Sequence, residues 1–214
     1  VAKLVSNGAD VSKKDNKGNA PLFYAICLGS TEIVDVLLSH GADTSGVKKY
    51  TQPYLILSLR NYDIAKLLLE KGSSANTSHK VPTSVKPADK VQSIIDAASG
   101  LEKTALTTSI YLGNIDVVKL LIKHGADVNL ISGKADHGPL VNAIMTKNEE
   151  IAVYLIERGA DIHKKYGLTN YSPLHWAVSS GLVKVTDKLI ASGANVNAKG
   201  GFGSSMTLTP LDVA

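Results

Sequence analysis

The chain has one cysteine, Cys27, in 214 residues. No intrachain disulfide can form, so packing alone must hold the fold, which suits a reducing, cytoplasmic setting. Arginine is scarce as well: of 23 basic residues only Arg60 and Arg158 are Arg, the rest being Lys. A net charge of +4 carried on lysine point charges is a poor match for a protein that reads bases, so no nucleic acid is expected. Aromatic residues are 5% of the chain, too few large anchors for one globular core. No apolar run approaches the ~18 residues of a spanning helix, so membrane insertion is not expected. The opening Val1-Ala2-Lys3-Leu4-Val5 lacks the layout of a secretory leader. Apolar residues at 44% and charged residues at 20% suit a folded soluble protein rather than a disordered one.

Catalytic signatures are missing too. The histidines at 40, 79, 124, 137, 163 and 175 form no i, i+4 pair. There is no Cys-x-x-Cys, no Gly-Lys-Ser/Thr phosphate cradle and no Gly-x-Ser-x-Gly. The expectation is a non-enzyme with no metal and no cofactor. Gly200-Gly201-Phe202-Gly203 resembles a phosphate loop in composition only, since no strand precedes it. Cys27 has no His or basic neighbour in sequence to activate it, and an inert thiol is expected.

What the chain does have is repetition. Ser39-His40-Gly41-Ala42-Asp43, Lys123-His124-Gly125-Ala126-Asp127, Glu157-Arg158-Gly159-Ala160-Asp161 and Ala191-Ser192-Gly193-Ala194-Asn195 are one phrase, with Asn7-Gly8-Ala9-Asp10 and an eroded Lys71-Gly72-Ser73-Ser74 before them. The glycines at 8, 41, 72, 125, 159 and 193 are spaced by 33, 31, 53, 34 and 34 residues. A second phrase keeps step: Ala20-Pro21-Leu22, Pro53-Tyr54-Leu55, Thr104-Ala105-Leu106, Gly138-Pro139-Leu140, Ser172-Pro173-Leu174 and Thr209-Pro210-Leu211. Proline is tolerated at the first helical position, where its missing N–H costs nothing, so the second phrase starts a short helix. A second helix follows with paired apolar positions, as in Val117, Val118, Leu120 and Leu121, giving one broad buried stripe. The recurring Gly then ends that helix in the left-handed conformation. His40 and His124 precede this Gly at one shared repeat position, where a cation suits the negative end of a helix.

Ser172-Pro173-Leu174-His175-Trp176-Ala177 together with the Gly-Ala-Asp phrase resembles the ankyrin repeat, and the resemblance covers essentially the whole chain. It implies an all-α solenoid of stacked helix-turn-helix units with projecting β-turn fingers and a concave face lined by the first helices. Tyr54, Ala105 and Gly138 depart from the pattern at helix starts. Units are expected at 13–45, 46–76, 104–129, 130–163 and 164–197, between partial ones at 1–12 and 198–214, as in a window cut from a longer array. An insertion at 77–103 carries Val91, Ile94 and Ile95 on one face, which predicts an extra amphipathic helix over 87–99, while Ser73 to Val85 reads as loop. The resemblance further implies that His175 steadies its turn by hydrogen bonds.

Function by resemblance is a non-catalytic protein-interaction scaffold, monomeric, binding a protein partner whose identity stays open. The alternative is a regulatory or targeting segment of a larger enzyme or secreted effector. Lys14, Lys17, Lys48, Tyr50, Lys165, Tyr166 and Tyr171 recur at or near finger tips. They are either a solvated face or a tyrosine-studded basic ridge suited to an acidic segment. Leu28, Leu59, Arg60, Tyr111, Leu112 and Met145 are expected as outward residues of the concave face, with Thr146 and Ser179.

Overall fold

Five of the six phrases place a leucine where the first helix of a unit meets its neighbours, while Leu211 of the sixth is 83% exposed. Leu22, Leu55, Leu106, Leu140 and Leu174 are all buried. In the computed structural model, residues 1–46, 53–80, 102–132, 137–201 and 207–214 are described. The first helices are α2 (Pro21–Leu28), α4 (Tyr54–Ser58), α6 (Ala105–Tyr111), α8 (Gly138–Met145) and α10 (Pro173–Ser179). The second helices are α1 (Ala2–Ser6), α3 (Thr31–Ser39), α5 (Tyr62–Glu70), α7 (Ile115–Lys123), α9 (Glu149–Glu157) and α11 (Val183–Ala191), and Pro210–Val213 forms a final 3-10 turn. First helices pack on first helices and second on second, α2 to α4 to α6 to α8 to α10 and α1 to α3 to α5 to α7 to α9 to α11. The result is a two-layered helical solenoid.

Three residues beyond each buried leucine the chain needs a small side chain where first helices approach one another. Ala25, Ala143 and Ala177 supply it, and Ser58 and Ser109 take the place in two units. Both hydroxyls turn back to donate to the carbonyls of Leu55 and Leu106 at 2.8 Å, so no buried donor is orphaned. Asn61, Asn114 and Asn148 cap the second helices by accepting the N–H of Ile64, Val117 and Ile151. The turn before most caps holds a left-handed residue, as at Gly29, Gly113 and Gly181, but Lys147 takes that conformation at φ 56°.

The Gly-Ala-Asp phrase also resolves into physics. The alanines at 42, 126, 160 and 194 are buried. Asp10, Asp43, Asp127 and Asp161 each accept the backbone N–H two residues on, at 2.8–2.9 Å. That is the Asx turn that sends the chain out into a finger.

The insertion is rooted in a short antiparallel ladder. Strand β1 (Ser78–Lys80) pairs with β2 (Glu102–Thr104), with Ser78 opposite Thr104, His79 opposite Lys103 and Lys80 opposite Glu102. The expectation of loop over Ser73 to Val85 is therefore wrong for 78–80. Ser78, His79 and Lys80 carry no strand pattern of their own and are strand only because a segment more than 20 positions away pairs with them. The helix expected over 87–99 lies outside the described residues. Among the described residues no helix is long and apolar enough to cross a membrane.

Candidate interaction surface

The solenoid brings the ends of the first helices to one side and the fingers to their rim. Leu28 at the end of α2 is 78% exposed and Met145 at the end of α8 is 47% exposed. Thr146 and Ser179 are exposed beside them, as is Arg60. These match the outward placement expected from sequence.

Leu59 does not. It is fully buried, and the reason lies in the spacing. From Leu55 to the capping Asn61 there are six steps, whereas Leu22 to Ser30, Leu106 to Asn114 and Leu140 to Asn148 take eight. The two missing residues cut α4 short and turn Leu59 into the core. The 31-residue glycine gap of this unit was the available signal. Leu112 is half-buried and packs on the core, so it too offers less surface than expected.

Tyr111 is half-buried as well. The Lys103 ammonium sits 3.8 Å from its ring centroid, and its hydroxyl donates to Asn142 Oδ1 at 3.3 Å. Its ring faces a cation from within the chain, which sequence reasoning missed because Lys103 lies beyond the unit boundary on β2.

Lys14 and Lys17 on the first finger are exposed. Between this finger and the next is a pocket of about 190 Å³ lined by Lys14, Asn19, Phe23, Asp43 and Tyr54 among others. The Asp43 carboxyl is held below its ordinary value, mainly by the Ser45 N–H and hydroxyl, with the Lys14 charge adding. On the other side of α2 a groove of about 380 Å³ runs past Pro21, Tyr24, Ala25 and Leu28, with Lys13 and Asp15 at its edge. The Tyr24 hydroxyl donates to Asp15 and is the main cause of that carboxyl's lowered value. Lys48 and Tyr50 lie outside the described residues.

The fifth finger is closed by a bridge of its own. Tyr166 and Tyr171 pair across it, with the Tyr166 N–H donating to the Tyr171 carbonyl at 2.9 Å. Leu168 at the tip is 90% exposed. Lys165 is exposed but tethered, its Nζ donating to the Lys199 carbonyl at 2.7 Å. Tyr171 stacks on His175 with centroids 4.8 Å apart. His175 is fully buried and bridges two units. Its Nδ1 accepts from the Ser172 N–H at 3.2 Å and its Nε2 donates to the Leu208 carbonyl at 3.1 Å. The imidazole is spent on holding the fingers together. Cys27 is exposed and desolvation pushes its thiol up, away from the reactive thiolate. His40 Nδ1 donates to the Val36 carbonyl at 2.8 Å, in the last turn of α3.

The model for ankyrin repeats (three copies) matches this chain over residues 1–79, 85–166 and 136–200. The chain belongs to the ankyrin repeat family. Human inversin is 29% identical to this ankyrin array over a 150-residue alignment that covers 61% of the chain and 14% of inversin. An ankyrin repeat protein of variola virus, OPG189, is 32% identical over 84 residues, 37% of the chain and 15% of that protein. Among solved structures, the ankyrin repeat domain of Bcl-3 superposes with a TM-score of 0.71 at 22% identity, covering 99% of this chain and 85% of that one. The ankyrin repeat domain of human ASB11 gives 0.65 at 20%, covering 99% and 84%. The array thus spans a small part of the curated relatives it matches and 84–85% of the structural ones.

Proposed function

We propose that this ankyrin array is a non-catalytic, monomeric protein-binding module of the cytoplasm that holds its partner on the first-helix ends and the finger rim. One observation carries the reading. Leu28 and Met145, in different units, both stand exposed at the ends of first helices whose inner faces are fully packed. Polar side chains would serve folding equally well there, so apolar side chains exposed at these ends suit a docking surface. Lys14, Lys17, Lys164 and Lys165 supply a basic rim, which favours a partner segment bearing carboxylates. The tethered fifth finger adds Leu168 as a preorganised apolar contact, and ordering it beforehand lowers the cost of binding. The test compares proteins retained from the native host's cytosol by the wild-type array and by a Leu28→Asp/Met145→Asp variant of unchanged melt. A partner held by the first and lost by the second supports the reading. Identical sets of retained proteins sink it.

A second reading rests on the small share of the relatives that the array spans, 14% of inversin for example. The array is then the targeting or regulatory segment of a larger protein, and any chemistry lies outside these residues. The sequence of the full-length gene product decides between them.

A further inference from the structure

His79 is 7% exposed and lies in the middle of β1, directly across the ladder from Lys103, which is 3% exposed. The imidazole Nδ1 is buried with no hydrogen-bond partner among the described residues. The Lys103 ammonium lies over the Tyr111 ring, and Tyr111 in turn donates to Asn142. One line of contacts therefore runs from β1 through β2 to the end of α6 and into α8. Nothing in the stacking of the repeats needs a titratable group at the centre of that ladder, where a β-branched residue would fill the same space.

We propose that the β1–β2 ladder is a pH-sensitive latch: uptake of a proton by His79 opens it, lifts Lys103 from Tyr111 and parts the two roots of the insertion. Among the described residues the charged groups that act on His79 are Lys103 and Glu102 on β2. Across the same strand pair, the Ser78 hydroxyl donates to Glu102 Oε1 at 2.7 Å and holds that carboxylate. From α6 the group in line is Tyr111, beneath Lys103. A protonated His79 in the closed ladder would be a desolvated cation beside the Lys103 charge, and opening rehydrates it.

Burial is the main cause that holds His79 below its ordinary value of 6.5, and the Lys103 charge adds to it. The hydrogen bond with the Lys103 backbone and the Glu102 charge oppose. The closed ladder thus keeps the ring neutral while an opened one titrates near 6.5. As pH falls through that value the open form gains a proton the closed form does not, by up to about tenfold in the opening equilibrium per pH unit. Unlatching uncovers the Tyr111 ring beside α6 and α8, which changes the surface of the first helices on acidification.

Amide hydrogen exchange of the 214-residue chain, corrected for intrinsic rates, tests this. Between about pH 7.5 and pH 5.5, with Glu102 still ionised, protection at 78–80 and 102–104 should fall by about tenfold, while α7 and α9 keep theirs. His79→Leu, which fills the site and cannot take a proton, should keep its ladder protection at both pH values. The proposal is overturned if the wild type shows no loss, or if His79→Leu loses as much. Should His79→Leu not fold, His79→Gln replaces it: a neutral side chain that cannot take a proton must keep its ladder protection at both pH values, and a loss equal to the wild type's also overturns the proposal.

Discussion

Asn76 reaches past the whole insertion to Asp127, accepting its backbone N–H on Oδ1 at 2.8 Å, while its Nδ2 donates to the Gly125 carbonyl at 3.1 Å. Asn129 repeats the pattern one unit on, with Asp161 N–H at 2.8 Å and the Gly159 carbonyl at 3.1 Å. The asparagine four residues after one terminal glycine thus clamps the next glycine turn. The units flanking residues 81–101 are joined in the same way as two units with nothing between them.

Asn129→Ala should cost about 1–2 kcal/mol, since two inter-unit hydrogen bonds of ordinary net worth are lost. Asn197 stands at the same step of its own unit but makes no such side-chain bond among the described residues, so Asn197→Ala should change little. Urea melts of the two variants check the contrast. Equal losses would mean the clamp contributes nothing beyond local turn geometry.

Replacing residues 81–101 by Asn-Gly should leave a folded array. Lys80 and Glu102 are opposite one another, and a two-residue turn of this type closes such a pair without splaying it. The shorter loop favours folding by about 1–2 kcal/mol in closure entropy. A cooperative melt at or above that of the wild type is the expected result. Cutting deeper, from Ser78 to Lys103, removes the cover over Tyr111 and should give a lower midpoint.

Tyr111→Leu should destabilise by about 1–2 kcal/mol, because it strips the ring from beneath the Lys103 ammonium and the hydroxyl from Asn142. Tyr111→Phe keeps the ring and should cost less than about 1 kcal/mol. An unchanged melt for Tyr111→Leu would show that the residue serves a partner alone.

Gly159 sits at φ 85° with nothing within 4 Å of where a Cβ would stand. Gly159→Val therefore meets no clash, and its expected cost of about 1–2 kcal/mol comes from the left-handed backbone alone. Thermal melts that coincide would contradict it.

Lys147 presents the converse case, an L residue at φ 56° where neighbouring units use glycine. Lys147→Gly should raise stability by about 0.5–1 kcal/mol, the relief of strain exceeding the added freedom of the unfolded chain. A lower midpoint would mean that the lysine side chain contributes more than its backbone costs.

The sequence by itself determined the repeat, the solenoid and the family, because each unit writes its own helix starts, apolar stripes and glycine stops within about 33 residues. Such signals are local, and local signals survive without coordinates. It also placed Leu28 and Met145 outward, since position along a short helix sets which side a residue faces. Only the tertiary structure decided the rest. Leu59 went inward because two missing residues shortened a turn, an effect of length that side-chain chemistry does not carry. Ser78, His79 and Lys80 became a strand through pairing with Glu102, Lys103 and Thr104, a partner the local pattern cannot name. Tyr111, Lys103 and His79 sit on three separate elements. They meet because the units on either side of the insertion stack directly, and contact across an insertion is a property of packing rather than of periodicity.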